Sequence, residues 1–177
     1  MKVETYKIFG WKEKETGLLI DENDDWILVK HIPVDYVIDG YKLYNKKYLK
    51  NRKSKAKEEK IARVLRLKNT PTNAPDTFRF GSILETLSWC EQKYGLFEFQ
   101  DNETEIFYGT LELIEQDMFS IDMIKSNGKI EKEFDYEFSV DEISVITFES
   151  DYFESMCLLF KDEKTKKTKN NPLNIVE

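Results

Sequence analysis

Along the first fifty positions, apolar residues recur at every second place or in short unbroken runs. Glu4 to Phe9 reads as a first strand. Gly17 to Ile20 and Trp26 to Ile32 read as the two arms of a hairpin, with Asp21-Glu22-Asn23-Asp24-Asp25 as its polar turn. In the second arm Trp26, Leu28 and Lys30 alternate with Ile27, Val29 and His31. Both sets are mostly apolar, so this strand is expected to be largely buried. Pro33 interrupts the pattern, Val34 to Ile38 resumes it, and Asp39-Gly40 is a turn signal. Tyr41 to Leu43 and a short piece near Tyr48 complete a first β-unit over residues 1–50.

From Asn51 the period changes, and residues 51–95 read as a helical connector. Lys53 to Lys68 is rich in Lys, Glu, Ala and Leu and has no Gly or Pro. Ile61, Val64, Leu65 and Lys68 share one face at helical spacing. The spacing predicts a helix over about 54–68, with Ser54 as its N-cap and Glu58 close behind. Residues 69–76 hold two prolines and several turn formers, a loop. Ser82 and Glu85 form a capping box for a second helix over about 82–94. Ile83, Leu84, Leu87 and Cys90 are its apolar face, and Gly95 stops it.

Residues 96–160 return to β patterning. Leu96 to Phe99 is a strand. Glu105 to Ile114 and Met118 to Ile124 form a hairpin around Glu115-Gln116-Asp117. Ser126-Asn127-Gly128 is a turn, and Ile130 to Phe138 and Ile143 to Phe148 are further strands. Tyr152 to Phe160 fits a final strand or a short helix. Residues 161–177 are polar and rich in Lys, Thr and Asn, and are expected to fray.

The two β-units align with one another. With Gly17 set against Gly109, Leu19 faces Leu111, Asp25 faces Asp117, Ile27 faces Phe119, Val29 faces Ile121 and His31 faces Met123. Upstream, Ile8-Phe9 corresponds loosely to Leu96-Phe97. Downstream, Tyr41, Leu43 and Tyr48 face Tyr136, Phe138 and Ile143. An internal repeat is one reading; two meandering β-sequences matching by chance is the other. Strand, Gly-led strand, tight polar turn, apolar strand and short final strand is how a small, bent barrel of about five strands is written.

The second copy resembles the SH3-like and Sm-like small β-barrels. The resemblance is carried by Gly109-Thr-Leu-Glu-Leu-Ile, Met118-Phe-Ser-Ile-Asp-Met-Ile and Phe138-Ser-Val-Asp-Glu-Ile-Ser-Val-Ile, preceded by the helix at Ser82 to Tyr94. It covers roughly residues 96–148 and, more loosely, 8–49. It implies an α+β protein, mainly β, of two SH3-like/Sm-like barrels joined by a helical segment. The Asn- and Gly-rich loops with which Sm-like proteins contact RNA are missing, so RNA binding does not follow. The chain also resembles small bacterial proteins that combine such barrels with a Lys-rich helix, and no function comes with that resemblance.

Composition and charge sharpen this picture. The 177 residues include 12 Phe, 9 Tyr and 3 Trp, enough large side chains for a core despite 34% charged residues. No stretch approaches the roughly 20 apolar residues that cross a bilayer, and Met1 to Trp11 does not read as a signal peptide. Cys90 and Cys157 lie in apolar surroundings, as buried thiols of a reducing compartment do. A cytoplasmic protein without a membrane anchor is expected. The net charge of −7 hides an asymmetry: residues 42–68 carry twelve Lys or Arg against two acids. Such a segment can grip nucleic acid or an acidic partner; the plainer reading is a solvated face that pairs with the protein's own acids.

Catalytic patterns are missing from the sequence. His31, the one histidine, stands in phase with Ile27 and Val29 and reads as structural. One His and two scattered Cys cannot build a zinc site of standard spacing. Asp21, Asn23 and Asp25 begin like a calcium loop, but Trp26 and Ile32 stand where Gly and a bidentate Glu are needed. No cofactor is expected. The binding candidates are Lys46, Lys47, Lys50, Arg52 and Lys53 toward nucleic acid or an acidic partner, and Asp21, Glu22, Asp24 and Asp25 as an acidic partner surface. The expected function is a protein-interaction module, of which an immunity or antitoxin protein is one form. The alternative is a nucleic-acid-binding protein that uses residues 42–68.

Overall fold

The computed structural model describes residues 1–103 and 105–170. Strands β1 (Lys2–Ile8), β2 (Glu15–Glu22), β3 (Trp26–His31), β4 (Tyr41–Asn45) and β5 (Leu49–Lys53) precede helices α1 (Ala56–Leu67) and α2 (Ile83–Tyr94). Strands β6 (Phe97–Gln100), β7 (Ile106–Glu115), β8 (Met118–Met123), β9 (Glu137–Ser139) and β10 (Val145–Phe148) precede helix α3 (Asp151–Asn170). The protein is α+β. Its ten strands form one antiparallel sheet in the order β5-β1-β2-β3-β4-β10-β6-β7-β8-β9. The β4–β10 ladder, from Tyr44 opposite Val145 to Tyr41 opposite Phe148, joins the two β-units. The sheet does not close on itself; β5 and β9 are its edges.

Each half of the sheet is hydrogen-bonded in one pattern. The orders are β5-β1-β2-β3-β4 and β10-β6-β7-β8-β9. Gly17 pairs with His31 as Gly109 pairs with Met123, and Leu19 with Val29 as Leu111 with Ile121. A register shift follows in both, between Leu19 and Asp21 and between Leu111 and Leu113. A 3-10 turn leads into β5 in one half and β10 in the other, capped by Asn45 and by Ser139. Tyr6, Ile27, Val29 and Tyr44 fill one interior. Phe99, Phe119, Ile121 and Phe138 lie in the other. The rings of Tyr6 and Tyr44 are 5.1 Å apart, those of Phe99 and Phe138 4.9 Å.

The ladders also correct the alignment read from sequence. Ile27 lies opposite Tyr44 and Phe119 opposite Phe138, so Tyr44, not Leu43, occupies the place of Phe138. Glu4 pairs with Gly17 as Phe97 pairs with Gly109, so Glu4, not Phe9, matches Phe97. A one-residue slip turns every side chain to the other face, and hydrophobic pattern alone does not fix it where both faces are apolar.

Gly17 and Gly109 are required for contact. A Cβ at Gly17 would stand 2.6 Å from Val29 Cγ2 and 2.7 Å from its Cβ; at Gly109 the nearest atom is Ile121 Cδ1 at 3.0 Å. Val29 is fully buried and short, whereas Ile121 presents the far end of a longer side chain. Gly17→Ala is therefore expected to cost about 1–3 kcal/mol, and Gly109→Ala less. Urea unfolding of the two variants checks the order, and equal losses would contradict it.

The segment 51–95 does more than connect. Its first residues belong to β5, and α1 packs against β1 and β2 through Ile61, Ala62 and Leu65 on Val3, Leu18 and Ile32. Ser54 is not the N-cap of α1; it donates to the Val3 carbonyl at 2.9 Å. Lys55 holds the cap position. Buried Glu58 reaches back to the Lys55 N–H at 2.9 Å and accepts from Thr5 Oγ1 at 2.6 Å. Helix α2 keeps the expected box: Ser82 N–H to Glu85 at 2.7 Å and Glu85 N–H to Ser82 Oγ at 3.2 Å. Gly95 ends it with φ 90°.

Three segments depart from the sequence reading. Val34 to Ile38 is not a strand, and Val34 and Val37 are exposed. Of Ile130 to Phe138 only Ile130, bridged to Ile124, and Glu137 and Phe138 of β9 pair. Tyr152 to Phe160 is helical, and the helix continues through Lys161 to Asn170 where a frayed tail was expected. Phe153, Met156 and Phe160 are buried from one face of α3. Its first turn is held by Ser150 Oγ accepting from Phe153 N–H at 3.1 Å and by Asp39 accepting from Asp151 N–H at 2.8 Å. The rest of the expected tail, residues 171–177, lies outside the described residues.

Candidate functional site

The predicted acidic and basic groups meet each other. β2 runs through Asp21 and Glu22, so the turn itself is Asn23 to Asp25. Asn23 Oδ1 closes it, accepting from Asp25 N–H at 3.0 Å and Trp26 N–H at 2.7 Å. Lys46 reaches Glu22 at 2.9 Å, and Arg52 reaches it at 2.8 Å. Lys46 also donates to the Asn23 carbonyl at 2.5 Å. The Lys46 and Arg52 hydrogen bonds hold the Glu22 carboxyl below its ordinary range. Arg52 lies 3.7 Å from buried Glu4 as well. Lys47 lies 3.4 Å from the Asp141 carboxylate and donates to the Asp141 carbonyl at 3.2 Å. Lys50 and Lys53 stay exposed, as do Asp21, Asp24 and Asp25. The two patches read from sequence are thus partly neutralised by contact.

His31 is built into a second polar knot. Glu15 Oε2 accepts from Lys42 Nζ at 2.6 Å, His31 Nε2 at 2.9 Å and Tyr44 Oη at 3.3 Å. These groups come from β2, β3 and β4, and Lys42 also stands over the Trp11 ring. Burial works against the Glu15 charge, but the His31 and Lys42 contacts outweigh it and hold the carboxyl down at about 2. His31 Nε2 is therefore engaged by the Glu15 carboxylate. Burial raises the Glu98 carboxyl, and Tyr108 Oη donates to it at 2.6 Å. Cys90 and Cys157 are free thiols, and burial pushes Cys157 up to about 11. Among the described residues no group of three or more His, Cys, Asp or Glu could hold a metal ion, and no helix is long and apolar enough to cross a membrane.

A cleft of about 530 Å³ opens between the halves. The β2–β3 turn brings Asn23, Asp25 and Trp26, and the first 3-10 turn brings Lys47. The β7–β8 turn brings Asp117, the second 3-10 turn Asp141, the loop before α2 Phe80, and the start of α2 Ile83 and Leu84. Three carboxylates and one lysine thus rim an apolar floor. Of the binding candidates named from sequence, only Asp25 and Lys47 reach it. Sequence reading set Asp25 against Asp117 but had no signal that the two turns come together. Phe80, in the loop before α2, carried no pattern at all. No family model, curated protein or solved structure matches this chain.

Proposed function

We propose that this chain is a non-catalytic protein-interaction module acting in the cytoplasm. Its two halves are small SH3-like/Sm-like units, and a partner segment docks in the cleft between them. The observation that carries the reading is the cleft itself: Trp26, Phe80, Ile83 and Leu84 below, and Asp25, Asp117 and Asp141 at the rim. That chemistry suits a partner segment with apolar side chains flanked by Lys or Arg, as in an immunity or antitoxin protein that covers a basic toxin. The shared strand order, register shifts and 3-10 turns support reading the halves as one unit used twice.

The test is capture on immobilised wild type and on Asp25→Lys/Asp117→Lys/Asp141→Lys. A partner held by the wild type should bind the variant at least tenfold more weakly, mainly through a slower association rate. A partner that binds both equally would remove the cleft from the reading.

One observation favours the second reading, nucleic-acid binding. Lys50, Lys53, Lys55, Lys57, Lys60, Arg63 and Arg66 are exposed along β5 and α1. Fluorescence anisotropy with a single-stranded oligonucleotide at two salt concentrations tests it. Binding that falls steeply with salt and is lost on changing Lys50, Lys53 and Lys57 to Ala supports it; no binding at low salt removes it.

A further inference from the structure

We propose that the two open edges of the sheet, β5 and β9, pair between copies, so that the protein associates with itself head to tail. The inference rests on the matched geometry of the halves and not on the cleft. Inside the chain, the last strand of the first half, β4, already pairs with the first strand of the second, β10. In the matched orders β9 stands where β4 stands, and β5 where β10 stands. The junction the chain makes once therefore has both of its halves left over, one at each end of the sheet. An open strand edge presents a row of unpaired N–H and C=O groups, a template for another chain.

The edges are complementary in charge. β5 carries Lys50, Arg52 and Lys53, and Lys55 follows it. β9 carries Glu137, with Glu133 and Asp135 before it and Asp141 and Glu142 after it. Over residues 96–160 the chain has seventeen acids against three lysines, so the whole β9 end repels a copy of itself and attracts the β5 end. Lysines on an edge strand ordinarily guard against pairing; here the opposite edge supplies their counter-charge. The sheet face beside β9 also offers apolar surface. Leu113, Met118 and Tyr136 are 51%, 38% and 54% exposed. Leu113 and Met118 line a groove of about 520 Å³ that Glu115 and Glu137 border. Leu49 and the aliphatic stems of the β5 lysines match that surface.

Because two different edges meet, the contact is heterologous and builds rings or open chains, not a two-fold dimer. β9 has only three residues, so the contact is weak and salt-sensitive.

Sedimentation velocity of the full chain from roughly 10 μM to 1 mM tests this. The mass should rise with concentration at low salt and return toward the monomer at about 0.5 M salt. Lys50→Glu/Lys53→Glu and Asp135→Lys/Glu137→Lys, all at exposed positions, should each be monomeric alone, with unchanged circular dichroism. Their equimolar mixture should associate again, because each repelling edge then meets its opposite. An Asp25→Lys variant, which reverses a cleft carboxylate that belongs to neither edge, should associate as the wild type does, which separates this proposal from the cleft. A wild type that stays monomeric throughout, or a mass unmoved by reversing either edge, would overturn it.

Discussion

Gly40→Ala is expected to cost about 3 kcal/mol or more. Gly40 has φ +65°, and a Cβ there would stand 2.3 Å from Ser150 N, 2.5 Å from Glu149 C and 2.6 Å from Glu149 O. These are backbone atoms at the corner between β10 and α3, so no side chain can turn aside. The same corner is tied by the Gly40 carbonyl accepting from His31 N–H at 3.0 Å and by the Asp39 bond to Asp151 N–H. Moving it strains the first half, the second half and α3 together. Gly40→Asn is expected to be no better, because asparagine tolerates the dihedral but still carries the Cβ. Gly95→Asn is the control: φ is +90° there, and nothing lies within 4 Å of the added atom. That change should cost only about 1 kcal/mol. Urea midpoints of the three variants decide the matter, and a mild Gly40→Ala would mean that the β3–β4 loop does not bear on this corner.

Removing the Glu15 charge is expected to be nearly as damaging. Glu15→Gln leaves Lys42 without its carboxylate and weakens the bonds from His31 and Tyr44, in surroundings where the carboxylate is only 15% exposed. Breaking such a pair costs about 2–4 kcal/mol at neutral pH. The loss has a pH signature. The folded carboxyl titrates at about 2, below an unfolded value of about 4.3. A depressed folded pKa gives stability that is present above the unfolded value and is lost as pH falls toward the folded one. By linkage this amounts to about 3 kcal/mol, fading between about pH 4.3 and pH 2. The gap in stability between wild type and Glu15→Gln should therefore be full at pH 7 and shrink across that window. A gap of constant size would show that the knot's contribution is not the Glu15 charge.

The sequence by itself determined what depends on near neighbours. Period-two runs located most of the strands, Ser82 and Glu85 located the start of α2, and Gly95 its end. Those signals are local because backbone dihedrals, caps and turns involve residues only a few positions apart. Tyr152 to Phe160 was readable as strand or helix because a short apolar run buries equally well at either period. The helix start is held both by Ser150, three residues before Phe153, and by Asp39, 112 residues away in another loop. The β4–β10 junction was likewise invisible: a strand's own pattern says which face is buried and nothing of which edge will be taken. Tertiary structure also decided the charges. Glu22 meets Arg52 across 30 positions, and Glu15 meets Lys42 across 27. A run of twelve cations thus loses part of its field to acids brought near only by folding. The cleft arises in the same way: turns about ninety positions apart face one another because one shared ladder holds both halves in a single sheet.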